Sequence, residues 1–206
     1  MAPETPPSPP QGDFDQNLRV FQILDSPSHS HYSSGQLSAA DKVTRAARWA
    51  CVHTLTGHTS WVRSVVVSAD GNFVISGSGD KSLRVWHLQT GHQLYTIDDH
   101  TAWVRSVAVC PNSTCFASVS NDNVIRLWNL ADGSCLGHLQ GHENWVRAIT
   151  FGPNGKYLFS GGQDKNICAW NVEQQTLIHR FNGHRHWVRS LAVSQDGTSL
   201  VSGSQD

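Results

Sequence analysis

Every 42 residues this chain presents the same side chains. His58, His100, His142 and His184 keep that step, and so do Trp61, Trp103, Trp145 and Trp187. Arg63, Arg105, Arg147 and Arg189 run in the same register, as do Ser76, Ser118, Ser160 and Ser202. Asp80, Asp122, Asp164 and Asp206 form a fifth column, and Trp86, Trp128 and Trp170 a sixth. A period of about 40–45 residues marks a repeat architecture. Six columns in one register exclude coincidence, so the chain must fold as copies of one unit.

One unit reads as four strands. "WVRSVVVS" (61–68) is rich in β-branched residues, and "ADGN" supplies an Asp-Gly turn. "FVISGS" (73–78) is the second strand, and "SLRVWHL" (82–88) the third, with Leu83 and Val85 on one face. "HQLYTI" (92–97) is the fourth, and nothing in the unit has helical period. The expected class is all-β, built of four-stranded antiparallel units. A single unit cannot bury both its faces, whereas stacking units around an axis covers the faces and leaves only short edges.

Composition narrows the function classes. Net charge is −1, so no bulk positive charge draws the chain to nucleic acid or anionic lipid. "MAPETPPSPP" has no apolar core of a secretory signal, and no apolar run approaches the ~18 residues of a membrane span. No membrane insertion is expected. Cys51, Cys110, Cys115, Cys135 and Cys168 are odd in number and scattered, which suits a reducing compartment, cytoplasmic or nuclear. Cys110 and Cys115 flank "PNST", but the other units hold Ser, Gly, Phe and Tyr there, so a metal site is not expected. Phosphate-binding glycine loops and clustered metal ligands are absent from the sequence, and no cofactor is expected.

The units resemble WD repeats, the blades of a β-propeller. "GH" opening a unit, "SGSxD" before the third strand and Trp ending it carry the resemblance over residues 57–206. The dipeptide that names the family is replaced by Trp86-His87, Trp128-Asn129 and Trp170-Asn171, and "GH" becomes Asp99-His100 in the second unit. The resemblance implies complete blades at 57–98, 99–140 and 141–182, with an incomplete one at 183–206. It also implies a hydrogen-bonded set of His, Ser, Asp and Trp in each blade. Here those sets are His58, Ser76, Asp80, Trp86; then His100, Ser118, Asp122, Trp128; then His142, Ser160, Asp164, Trp170. An unpaired buried polar group costs about 1–3 kcal/mol, so these sets should pin each blade's loops. Ser, His and Asp are also the residue types of a hydrolase triad. A set repeated in every blade, with no G-x-S-x-G elbow, argues against an enzyme.

Function then falls to the surface. The resemblance implies one rim around the central channel as the docking face, and the first strand as innermost. The matching positions are Trp61, Trp103, Trp145 and Trp187, with Arg63, Arg105, Arg147 and Arg189, joined by Asn121 and Gln163 beside the Asp column. Trp and Arg are the side chains most enriched at binding hot spots, and guanidinium pairs with carboxylate or phosphate through two parallel bonds. The expectation is a scaffold that docks a protein or peptide, acidic or phosphorylated, and works in a multiprotein complex. An RNA-binding propeller, with bases stacked on Trp, is the alternative, and the neutral net charge argues against it. Shared descent of the repeats is the rival account of the "WVRS" columns.

The flanks are less regular. Residues 1–10 are Pro-rich and expected to be disordered. "QGDFDQNLRVFQIL" (11–24) aligns with "SGSGDKSLRVWHL", which makes it a worn third strand with Phe21 in the Trp position. Residues 25–49 are Ser-rich and read as a flexible insert, and "ACVHTL" (50–55) fits a fourth strand. Three complete blades and two half-blades are therefore expected, as part of a larger propeller, an exchange between two chains, or a small closed ring.

Overall fold

The computed structural model describes residues 16–24 and 48–206. The expected Pro-rich tail, the start of the worn strand and residues 25–47 of the expected insert lie outside the described residues. β1 (Leu18–Leu24) pairs antiparallel with β2 (Arg48–Leu55). A four-stranded sheet follows, β3 (Val62–Val67), β4 (Phe73–Ser78), β5 (Leu83–His87) and β6 (Gln93–Ile97), in that spatial order. The next is β7 (Val104–Val109), β8 (Cys115–Ser120), β9 (Ile125–Asn129) and β10 (Cys135–Leu139). The third is β11 (Val146–Phe151), β12 (Tyr157–Gly162), β13 (Ile167–Asn171) and β14 (Thr176–Phe181). β15 (Val188–Val193) and β16 (Leu200–Ser204) form a last two-stranded sheet. There is no helix among the described residues.

The sheets pack face to face through their first strands, β3 against β7, β7 against β11 and β11 against β15, so these strands are innermost. Each interface is a dry apolar layer. Ile75, Leu83 and Val85 of the first blade meet Val104, Val107, Phe116 and Trp128 of the second. Val119, Ile125 and Leu127 of the second meet Val146, Ile149, Leu158 and Trp170 of the third. Val74 and Trp86 cover Leu55, with Leu18 and Val20 against them, which seats β1–β2 on the first blade. Polar clasps reinforce the contacts: Tyr95 Oη donates to the Leu130 carbonyl (2.5 Å), and Val107 N–H to Ser64 Oγ (3.1 Å). The result is an arc of three blades with a half-blade at each end. The half-blades β1–β2 and β15–β16 are separate sheets, so the ring is not closed.

The half-blade β1–β2 has the pairing of a third and fourth strand. Leu18↔Leu55, Val20↔His53 and Phe21↔Cys51 repeat Leu83↔Ile97, Val85↔Tyr95 and Trp86↔Gln93, with the register shift at the same place. β2 starts at Arg48, two residues before the expected start of the fourth strand, because Arg48 and Trp49 pair with Leu24 and Ile23.

Two rings of β-bulges follow from these registers. In the inner strands Val62↔Ser78 is followed by Ser64↔Gly77, which leaves Arg63 as the extra residue. Arg105, Arg147 and Arg189 are the extra residues of β7, β11 and β15 in the same way. A bulge bends its strand and re-aims the side chain it carries. In the outer strands the extra residues are Leu94, Leu136 and Ile178, each about half exposed.

Phe116 is fully buried and stacks on Trp128 with ring centroids 6.4 Å apart. Phe116→Ala should therefore cost about 3–5 kcal/mol, and the exposed Leu136→Ala under about 0.5 kcal/mol. Urea denaturation of both variants checks the contrast.

Candidate functional site

Each blade carries a buried polar chain beneath its upper loops. In the first blade His58 Nδ1 lies 2.8 Å from Asp80 Oδ2, and His58 Nε2 lies 2.8 Å from Ser76 Oγ. Trp86 Nε1–H donates to that Ser76 oxygen (3.0 Å). One proton arrangement satisfies all three bonds: Nδ1–H donates to the carboxylate, and Ser76 O–H donates to a neutral Nε2. The third blade repeats the set, His142 to Asp164 at 2.8 Å, His142 to Ser160 at 2.7 Å, and Trp170 to Ser160 at 2.7 Å. His184 bonds Asp206 (3.0 Å) and Ser202 (2.7 Å) in the last half-blade. Ser76, Ser118 and Ser160 are fully buried, so their hydroxyls face no solvent or substrate. The carboxylates also tie loops together, since Thr59 N–H and Ser82 N–H both donate to Asp80 (2.9 Å each).

The second blade departs from the pattern. Arg126 Nη1 lies 2.7 Å from Asp122 Oδ2 and 3.0 Å from His100 Nδ1, while His100 and Asp122 are 3.4 Å apart. His100 Nε2 still reaches Ser118 Oγ (2.7 Å), and Trp128 Nε1–H donates to the same oxygen (2.7 Å). Spacing does not give Arg126 this role: Arg84, in the same column of the first blade, bonds Gln93 instead, and the third blade holds Cys168 there.

Burial lowers the pKa of His58 and of His100, each only partly offset by its aspartate. Burial pushes Asp80 up, but bonds from Ser82, Thr59 and His58 outweigh it and bring the carboxyl to about 2.

Above these sets the bulges aim four guanidinium groups toward the axis of the arc. Arg63, Arg105, Arg147 and Arg189, with Trp61 and Val62, line a cavity of about 350 Å³. Trp and Arg alternate along the rim. Arg63 lies 4.9 Å from the ring centroids of both Trp61 and Trp103. Arg105 lies 5.2 Å from Trp103, and Arg147 lies 5.7 Å from Trp145 and 5.0 Å from Trp187. Asn121 and Gln163 stand behind this row. Arg105 Nε donates to Asn121 Oδ1 (2.7 Å). Arg147 Nε donates to the Gln163 side-chain oxygen (3.1 Å), with that amide turned to face it, and Gln205 receives Arg189 Nη2 likewise (2.6 Å). Among the described residues, no carboxylate lies within ion-pair distance of any of the four guanidinium groups. Burial lowers the Arg105 pKa to about 10, and the charges of Arg147, Arg63 and Arg189 add to the shift. All four remain cationic at neutral pH.

A family model described as "WD domain, G-beta repeat" matches residues 49–87, 91–129, 133–171 and 175–206. The chain belongs to the WD40-repeat family. Each matched segment starts on the outer strand of one sheet and ends in the next, so the repeat unit in sequence straddles two blades. Among curated relatives, the small ribosomal subunit protein RACK1 of Caenorhabditis elegans is 55% identical over 40 residues, 19% of this chain and 12% of that protein. The pre-mRNA-splicing factor PRP46 of Yarrowia lipolytica is 42% identical over 45 residues, 22% of this chain and 10% of that protein. The chain thus spans about a tenth of the length of these relatives. Among solved structures, that of the RRP9 WD40 repeats has a TM-score of 0.65 at 25% identity, covering 66% of this chain and 43% of that one. The structure of U3-55K has a TM-score of 0.65 at 24% identity, covering 66% and 44%. Proteins of this WD40 family generally serve as interaction scaffolds.

Asp122→Ala strands His100 and Arg126 without a carboxylate and should destabilise the fold by about 1–3 kcal/mol, as read from urea midpoints.

The pH dependence has a defined sign. A histidine whose pKa is lowered by folding binds fewer protons in the folded chain than in the unfolded one. Its stabilisation is complete above the unfolded value of about 6.5 and is lost as pH falls through the lowered one. Asp80 adds a second loss between 3.8 and about 2. The urea midpoint should therefore fall between about pH 7.5 and about pH 5.5, and His58→Asn should flatten that slope.

Proposed function

We propose that this chain is a docking scaffold whose channel rim takes an acidic or phosphorylated segment of a protein partner, within a multiprotein complex of the cytoplasm or nucleus. One observation carries the reading. Four guanidinium groups share one cavity, and no carboxylate among the described residues neutralises them. A structural arginine column would be expected to bring its own acids, as Arg126 does with Asp122 (2.7 Å). The bulges support the reading, because they turn arginine out of the sheet where an apolar side chain would have packed. The tryptophans support it too: each guanidinium rests against at least one indole, which limits its rotation and lowers the entropy lost on pairing with a ligand. The buried serines weigh against hydrolysis by the Ser/His/Asp sets.

RNA is the second reading. Relatives bear names from the small ribosomal subunit and pre-mRNA splicing, and Trp103 and Trp145 are 40% and 39% exposed. The net charge of −1 supports the protein partner instead.

Fluorescent Glu-rich and phosphoserine peptides test the proposal by anisotropy. Arg105→Glu with Arg147→Glu should weaken binding by about a hundredfold or more while the melting temperature holds. Equal affinity of wild type and double variant would overturn the reading. A single-stranded RNA that binds more tightly than either peptide, with a steep fall in affinity as salt rises, would replace it by the RNA reading.

A further inference from the structure

The four arginines of the channel are not equivalent. In the second, third and last units a side-chain amide stands beside the Asp column and takes the inner edge of its arginine: Asn121 for Arg105, Gln163 for Arg147, Gln205 for Arg189. In the first unit that position is Gly79. Arg63 has no such amide, and its buried Nε has no hydrogen-bond partner. Two indoles, each 4.9 Å away and 6.4 Å from one another, flank it from adjacent sides instead. With its Nε buried, Arg63 keeps both terminal nitrogens for a ligand, whereas Gln163 and Gln205 each occupy one terminal nitrogen of Arg147 and Arg189.

The cavity also has a size and a charge to match. The cavity, about 350 Å³ and open to solvent, has room for a compact charged group among the four heads. Four cationic heads facing each other repel. A lone carboxylate brings one negative charge. A phosphoryl group brings about −1.5 to −2 and three acceptor oxygens, so a pair of them approaches neutrality against the four guanidinium charges.

We infer that the channel cavity is a site for clustered phosphoryl groups, with Arg63 as the leading contact and Gly79 as the residue that leaves Arg63 available. The inference rests on the reading of the arginine column as a docking face. It goes further in naming the ligand chemistry, which a small polyphosphorylated compound and a multiply phosphorylated segment share, and in naming the residue that ranks the four arginines.

The test is isothermal titration of the full 206-residue chain with sodium tripolyphosphate, with a doubly phosphorylated peptide, and with an unphosphorylated Glu-rich peptide of equal charge. Tripolyphosphate should bind at one site and compete with the phosphorylated peptide. The tighter of these two identifies the source of the phosphates. Arg63→Gln should weaken tripolyphosphate at least about tenfold, and Arg185→Gln, an exposed arginine that does not line the cavity, should leave it unchanged. Gly79→Gln supplies the missing amide without altering charge and should weaken binding severalfold. Its Cβ would meet Ser60 Oγ at 2.8 Å, which the serine relieves by rotating, so this variant keeps the test open if Arg63→Gln melts early. Equal losses from Arg63→Gln and Arg185→Gln, or wild-type affinity in Gly79→Gln, would overturn the inference. Failure of tripolyphosphate alongside arginine-dependent binding of the Glu-rich peptide would also overturn it, yet leave the docking reading standing. If no anion binds through the arginines, both fail.

Discussion

A four-stranded sheet has two faces and can cover neither by itself. Everything in this chain follows from the solution: each blade uses the next as its cover. Ile75, Val85, Phe116 and Trp128 lie between the first pair of complete blades, and Val119, Leu127, Leu158 and Trp170 between the second. Where a neighbour is missing, the same strand positions stay wet. Val65 is 53% exposed on β3, against 6–7% for Val107 and Ile149 at the matching places in β7 and β11. The hydrophobic term therefore sets the axis, the spacing and the fact that first strands are innermost.

Directional bonds then add what apolar packing lacks. The His, Ser, Asp and Trp sets run from the loop above the first strand to the end of the third, with His, Ser and Trp buried and the carboxylates at the margin. They hold the loop, the turn and the sheet in one frame. Only with that frame fixed can a one-residue bulge place a guanidinium reliably. The chemistry of the cavity is thus built on a polar scaffold that itself touches no ligand.

Much of this was legible in the residues. The 42-residue step, Asp-Gly turns and β-branched runs announced four strands per unit, and the polar columns announced which side chains share a blade. The bulges at Arg63, Arg105, Arg147 and Arg189 were not legible, because a bulge of this kind needs no glycine and its register exists only between two strands. The intrusion of Arg126 into the second set was hidden for a different reason: Arg84, in the same column, bonds Gln93 instead, so only proximity gives Arg126 its role. Asn121 and Gln163 were legible as rim residues, but their grip on the arginines depends on side-chain direction that spacing does not report.

Repetition carries a cost for recognition that Gly79 addresses. Four like arginines on four like strands offer an elongated ligand several nearly degenerate alignments, each shifted by one blade, and no way to prefer one. A single absent side chain ends the degeneracy. In the proposed site it would be an origin mark on an otherwise uniform scale, fixing which end of a bound molecule meets which blade. Direction along the arc would then be written by the absence of an amide rather than by the presence of a new group.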